Sequence, residues 1–365
     1  MLGERVAAGE FPSAVYLVGE RGCEAFGDAL GEAVRVPERC AATLETVYDL
    51  ASLTKPLVTG LLCARLVELG ELTLDSSVSH YLGEFDRTDK QVITVRELLA
   101  HTSGLPAWRP LYIAVGGEKE AALAAIANEP LEGRPGARVI YSDLGFMALG
   151  LLLERLTGRQ LDDLARRQIF EPLGLQRTLF NPPASMRQEI AASENGNGYE
   201  RSMVEREFPE FAGYGGWRNG VIWGQVHDGN AHFLGGVAGH AGLFSTARET
   251  FKLANQFIAG QTRLLRAETC SLFRQNLTTG LNEARSLAWQ LAATPDSSAG
   301  ASLPRDSFGH NGFTGVSCWV DPHQQRVFIL LTNRTHARAL PFPSINDARR
   351  EFHRLAVSAL ESHRQ

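Results

Sequence analysis

Long apolar runs are absent from this sequence. No stretch of about 18 apolar residues occurs, so no membrane-spanning helix is expected. The N-terminal MLGERVAAGEFPSAVYLVGERG lacks a basic segment followed by an unbroken apolar one. No signal peptide is read, and a cytoplasmic location is expected, or a periplasmic one if the N-terminus is truncated. Cysteine is sparse: Cys23, Cys40, Cys63, Cys270 and Cys318 make an odd count without a C-x-x-C pair. That argues against a disulfide framework and a zinc knuckle. Positive charge is not in excess either. The 36 Lys and Arg are outnumbered by 41 Asp and Glu and scattered among them, so no nucleic-acid partner is expected. Metal-ligand spacing is missing too: His101, His227, Asp228, His232 and His240 fit no H-E-x-x-H or finger pattern, and no metal is expected. The glycine run Gly235–Gly242 lacks the G-K-[ST] of a phosphate loop.

What the chain has is core-building composition. Of its 365 residues 44% are hydrophobic, enough for one large domain or two. Residues 13–19 and 23–29 flank Glu20-Arg21-Gly22 and predict a β-hairpin. From Leu53 to Leu69, apolar residues are spaced for a buried helix with Gly70 as its stop, and Cys63 falls in its core. Thr94 and Glu97 form a capping box opening a short helix to Ala100. Residues 144–157 predict a strongly apolar helix closed by Gly158, and 161–170 a second ended by Glu171–Gly174. The Gly- and Asn-rich stretch 181–240 predicts long surface loops, in which Trp217 and Trp223 are candidates to line a cleft. Thr246 and Glu249 form a second capping box, with a helix to Ile258. Strand-like runs follow at 286–292, 314–320 and 326–332, the last two joined by a turn at Asp321–Gln324, and Ser344–Asp347 caps a final helix to Leu360. Strands at both ends with helices between predict an α/β (α+β) fold. One antiparallel sheet, built from 1–50 and 241–365, is flanked by helices, with a mainly helical and loop insertion over 51–240.

Three constellations carry chemistry. Ser52 and Lys55 stand at the start of the first apolar helix, on one face. Pro56 marks a first turn, where a missing N–H costs nothing. The helix dipole and burial both disfavour the lysine cation and are expected to lower its pKa, making a general base. Two fixed residues also describe a capping serine and a solvated lysine, so the motif needs company. Tyr141-Ser142-Asp143 lies at the mouth of the next apolar helix, where a phenol can reach a cleft and shuttle a proton, or where Asp143 merely caps the helix. In Phe308-Gly-His-Asn-Gly-Phe-Thr-Gly-Val316, glycine recurs every third residue beside a strand, which marks close approach of a ligand or backbone. An edge strand here would offer the Phe313 N–H, beside that of Ser52, as an oxyanion hole, with His310 as a polar or positive group.

In this order the three resemble the penicillin-recognising serine hydrolases: the class C β-lactamase, D-Ala-D-Ala carboxypeptidase and family VIII esterase group. There S-x-x-K is followed by Y-x-N and then K-T-G or H-T-G. Here they look like Ser52–Lys55, Tyr141–Asp143 and His310-Asn311-Gly312. The framing stretches Tyr48–Lys55, Leu98–Leu105, Gly242–Thr246 and His310–Gly315 match as well, and Gly235–Gly242 with Leu331–Arg334 look like a generic "β-lactamase-related" bacterial branch. The resemblance implies one β-lactamase/DD-peptidase-like unit, an acyl-serine mechanism, and neither metal nor organic cofactor. It departs at Asp143 for Asn, at His310 for Lys and at Asn311 for Thr. An ionised Asp143 only accepts hydrogen bonds, favours a charged Lys55 and shifts the base role to Tyr141. Neutral His310 is a poorer carboxylate clamp.

The expectation is therefore a serine hydrolase acting on a small ester, amide or peptide. Ser52, Lys55, Tyr141 and Asp143 are its catalytic candidates, and His310, Asn311, Gly312 and Phe313 its substrate and oxyanion candidates. A D-stereospecific peptidase or DD-carboxypeptidase, and a non-catalytic penicillin-binding-like recognition module, are the alternatives. Loops 105–135 and 190–240 shape the pocket.

Overall fold

The computed structural model describes residues 1–86 and 89–362. Its strands are β1 (Ser13–Glu20), β2 (Cys23–Val34), β3 (Cys40–Ala41), β4 (Tyr48–Asp49), β5 (Leu179–Phe180), β6 (Leu243–Ser245), β7 (Gln290–Leu291), β8 (Phe308–Asn311), β9 (Ser317–Asp321) and β10 (Arg326–Thr332). Seven form an antiparallel sheet in the order β3-β2-β1-β10-β9-β8-β7, and β4-β6-β5 form a small second one. The two ends of the chain meet where β1 pairs with β10, Val15 opposite Leu331 and Leu17 opposite Ile329.

The sheet is apolar on both faces because both are covered. Val15, Leu17, Val327 and Ile329 point into the larger core with the central helices, while Ala14, Val18, Phe328 and Leu330 face the final helix Asn346–Ser362. Period-2 alternation sends successive side chains to opposite layers. The helix Asp143–Thr157 crosses the large core, and Gly158 in the left-handed conformation closes it. Its cap is Ser142, whose hydroxyl accepts from the Gly145 N–H, so Asp143 is not the cap. Among the described residues no helix is long and apolar enough to cross a membrane.

Several expectations are corrected. The segment around Ser52 is not one regular helix. A 3₁₀ turn, Ala51–Leu53, passes into a π-turn, Lys55–Gly60, before the α-helix Leu61–Glu68. Residues 181–240 are not all surface loop. They contain the helices Gly198–Glu207 and Gly229–Phe233, and bury Glu194, Glu200, His227 and His240. Polar side chains bonded to one another build that layer, so no apolar period betrays it. Thr94 and Glu97 make the full reciprocal box, but Glu249 turns away to the Gln176 and Arg177 N–H groups, leaving Thr246 a one-way cap. The run 286–292 is strand only at Gln290–Leu291, because Ala288 takes φ 62° and bends the chain. The stretch 314–320 starts with a turn, in which the Gly312 N–H bonds to Val316 O, and Phe313 lies in that turn after β8.

Candidate active site

β4 delivers the chain to Ser52. Asp49 Oδ1 accepts the Ala51 N–H at 2.8 Å, the Thr314 hydroxyl donates to Asp49 O at 2.8 Å, and Ala51 is held at φ 46°. A left-handed alanine costs roughly 1–2 kcal/mol, so the surrounding bonds over-determine this turn. Ser52 lies in the 3₁₀ turn and Lys55 opens the π-turn, and across this junction the Lys55 Nζ donates to Ser52 Oγ at 2.9 Å. The same ammonium donates to His240 O at 3.2 Å and lies 2.7 Å from Asp143 Oδ1. Tyr141 brings its ring to 4.9 Å from Nζ. Ser52, Lys55, Tyr141 and Asp143 thus meet at one point although 88 residues separate Ser52 from Tyr141 in the chain.

The electrostatics reverse one expectation. Burial lowers the pKa of Lys55, whose side chain is fully enclosed, but Asp143 and then Tyr141 outweigh it, and the net shift is upward. Burial pushes the Tyr141 phenol up as well, against the pull of Lys55. The resting pair is an ammonium and a neutral phenol.

His310, on β8, is likewise corrected. Burial, Lys55 and Arg285 hold its pKa well below the ordinary imidazole value, so it is neutral rather than positive. As a neutral ring 2.8 Å from Asn311 O, Nδ1 carries the proton and donates it there, leaving Nε2 as a buried acceptor without a partner. Asn311 is braced by the Ser298 hydroxyl at 3.0 Å. Two glycines are needed here. A Cβ on Gly309 would stand 2.1 Å from the Trp319 ring, and one on Gly312 would stand 2.7 Å from Leu50 O and 3.3 Å from Ala51 Cβ. The β8 end therefore lies directly against the turn that carries Ser52.

Two cavities flank Ser52. The first, about 510 Å³, is bordered by Tyr141, His310 and three arginines, Arg285, Arg334 and Arg349. The second, about 220 Å³, is bordered by Trp108, Tyr199, Glu200, Asp228 and Phe313. Behind the second, buried acids are tied in place: Glu200 accepts from Gly229 N and the Tyr112 hydroxyl, Asp228 is bonded to His240 Nε2, and Glu194 to His227 Nε2. Among the described residues no group of three acid, histidine or cysteine side chains is arranged to hold a metal ion.

Sequence reasoning gave none of the three arginines a role at the site: Arg334 entered only as the end of the Leu331–Arg334 stretch, and Arg285 and Arg349 belong to no motif. It also considered His101 only as a candidate metal ligand or a turn residue. His101 does occupy a turn, at φ 58°, but its ring stacks 4.5 Å from that of Tyr141 and its Nδ1 accepts the Ser142 N–H at 3.0 Å. It positions the phenol. Trp217 and Trp223 do not border Ser52: one packs on Tyr112 and Tyr214, the other donates its indole N–H to Ile190 O. Trp108 is the tryptophan at the cleft.

The sequence matches the family described as Beta-lactamase over residues 1–349. The chain belongs to the Beta-lactamase family. A relative from Escherichia coli (strain K12), named "Putative D-alanyl-D-alanine carboxypeptidase", is 34% identical across 81% of this chain and 71% of its own length. Its Salmonella agona (strain SL483) counterpart of the same name is 32% identical with the same coverage. Among solved structures, a class C beta lactamase superposes with TM-score 0.74 at 17% identity, covering 98% of this chain and 95% of that one. EstCE1, described as a hydrolase with promiscuous acyltransferase activity, gives 0.72 at 22% identity over 96% and 95%. At such identities the structures establish a shared fold. Family and relatives together mark the chain as a β-lactamase-related hydrolase.

Proposed function

We propose that this β-lactamase-family chain is an acyl-serine hydrolase that cleaves an amide beside a carboxylate, in the manner of a carboxypeptidase. The observation that carries the reading is the 2.9 Å bond from Lys55 Nζ to Ser52 Oγ at the mouth of an arginine-lined cavity. Loss of one proton from the coupled Lys55–Tyr141 pair generates the base. Tyr141, assisted by Lys55, takes the Ser52 proton as Oγ bonds to the substrate carbonyl carbon. The Ser52 and Phe313 N–H groups hold the oxyanion, an arrangement supported by the contact of Gly312 with Leu50 and Ala51. As the C–N bond breaks, Tyr141 returns the proton to the leaving amine. Water then attacks the ester carbonyl and gives a proton to the same pair, which passes it to Ser52 Oγ as the acyl C–O bond breaks and the acid leaves. His310 orients the substrate as an acceptor, through Nε2.

The arginines favour a carboxylate on the leaving group over a neutral ester. Acetyl-D-Ala-D-Ala, its C-terminal amide and p-nitrophenyl butyrate are compared by kcat/KM. The free-carboxylate peptide is expected to exceed its amide by about tenfold or more, the worth of one charge-assisted contact. Equal turnover of peptide and amide, with the butyrate ester preferred, contradicts the carboxypeptidase reading and leaves an esterase. No Lys55-dependent turnover of any of them contradicts a hydrolase and leaves the recognition module.

A further inference from the structure

A single carboxylate does not balance the charge of the larger cavity. Its wall holds Arg285, Arg334 and Arg349. Arg285 is answered by Glu283 Oε2 at 2.7 Å, and Lys55, below, by Asp143. Among the described residues neither Arg334 nor Arg349 pairs with a carboxylate. Arg334 donates to Phe313 O and Pro343 O, and Arg349 to Val316 O and Asn346 Oδ1. Arg349 is only 5% exposed. Burial and the neighbouring Arg334 lower its pKa to about 9, the signature of a cation short of a counter-charge. Hydrogen-bonding capacity is left over as well. Arg349 Nε, Arg285 Nη1 and His310 Nε2 are buried with no partner, and all three residues border the same space. A buried donor without an acceptor is costly, and a buried charge without a partner more so. The three guanidinium groups come from separate parts of the chain: Arg285 from the bend before β7, Arg334 from beyond β10, Arg349 from the final helix. The unanswered N–H groups of Arg285 and Arg349 and the uncompensated charge of Arg334 converge on one cavity, which is how a site for an anion is built, while His310 Nε2, an acceptor, is left for a donor of the same ligand.

We propose that this side of the cleft takes an acidic amino acid as the leaving group, one that brings two carboxylates to the two unmatched arginines. The inference rests on the hydrolase reading above and sharpens it from a carboxylate to a dicarboxylic residue. The α-carboxylate meets one guanidinium and the side-chain carboxylate the other, and Arg334 and Arg349 become specificity-determining residues. The bond cleaved is the amide to that residue's nitrogen, and the proton returned to the nitrogen is the one Tyr141 took from Ser52.

The test uses the full chain and three peptides, acetyl-D-Ala-D-Glu, acetyl-D-Ala-D-Gln and acetyl-D-Ala-D-Ala, each also made with the last residue of the other hand. Glutamine is the neutral isostere of glutamate. The kcat/KM for the Glu peptide is expected to exceed that for the Gln peptide by about tenfold or more, equivalent to about 1.4 kcal/mol. The gap should narrow as salt is raised. It should close in Arg334→Gln and persist in Arg334→Lys, with thermal melting confirming that both variants fold. Glu and Gln peptides cleaved equally by the wild type overturn the proposal, a result that needs no variant. So does a preference for Glu that survives in folded Arg334→Gln. Cleavage of the Ala peptide with no acidic preference defeats this inference alone. Failure to cleave any peptide, with Ser52 unlabelled by a fluorophosphonate, defeats the hydrolase reading beneath it.

Discussion

On one flank of Ser52 the carboxylates are met by hydrogen-bond donors; on the other, two guanidinium groups find no carboxylate among the described residues. Toward Glu200 and Asp228, the carboxylates are met by backbone N–H groups, by the Tyr112 hydroxyl and by His240. Toward Arg285, Arg334 and Arg349, among the described residues, two guanidinium charges have no carboxylate and three buried polar atoms have no partner. Both flanks are polar and both border the nucleophile. The difference teaches which is scaffold and which is binding surface. A satisfied network fixes its own geometry, whereas an unsatisfied one waits for a ligand to complete it. Burial and charge alone do not separate the two flanks; the carboxylates of one are each met by donors, although His240 Nδ1 there is buried without a partner, whereas on the other three buried atoms and two cations are left over among the described residues.

The largest effect is expected at the boundary between the flanks. Lys55→Ala removes the amine and leaves Asp143 without its cation. Turnover should fall by roughly 10³-fold or more, and stability by about 3 kcal/mol as one half of a buried pair is lost, read by steady-state kinetics and thermal melting. Retained turnover would mean that the proton is handled elsewhere.

Asp143→Asn comes next. The carboxylate holds Lys55 charged, and without it burial, which lowers the lysine pKa, dominates. The base then forms at lower pH, and the acid limb of the kcat/KM profile should move down by about one unit. A limb that stays put or rises would show that Asp143 does not govern the pair.

Asp228→Asn sharpens the contrast between flanks. It weakens the bond to His240 and should cost about 1–3 kcal/mol of stability, measured by urea unfolding. The ratio of Glu to Gln leaving-group turnover should stay unchanged. A changed ratio would make the acidic flank part of substrate recognition after all.

The smallest effect concerns pH and Glu200. Burial and Asp228 push its pKa up to about 7 from 4.5. Its folded pKa is raised, so the folded state binds the extra proton. The stabilising contribution is whole below pH 4.5 and is lost as pH rises toward 7. The slope is at most about 1.4 kcal/mol per pH unit. Glu200→Gln should flatten the stability profile in this window. An unchanged profile would place the titration on another group.

Much of the cluster around Ser52 was legible in the chain. Ser52 and Lys55 are linked by local spacing, and a turn of either helical type keeps them on one face. Tyr141 was legible from its junction, and the Gly309–Gly312 run because close backbone approach demands residues without a Cβ. The hairpin of β1 and β2 and the all-buried β10 follow from apolar runs with turn residues between them. The protonation states were not legible. Lys55 is raised rather than lowered because the opposing carboxylate is 2.7 Å away, a distance that spacing does not contain. Nor was the arginine wall, since Arg285, Arg334 and Arg349 share neither period nor motif. The polar layer of 181–240 hid for a related reason. Its order comes from long-range pairs such as His227 with Glu194 and Gly229 with Glu200, and composition resembling a loop conceals them.

All of this depends on Ser52 being the nucleophile. The most direct measurement is intact mass of the full chain after a fluorophosphonate, for wild type and Ser52→Ala side by side. One adduct on the wild type and none on Ser52→Ala is the predicted result. Equal labelling of the two proteins, or none of the wild type while it turns over substrate, would contradict it.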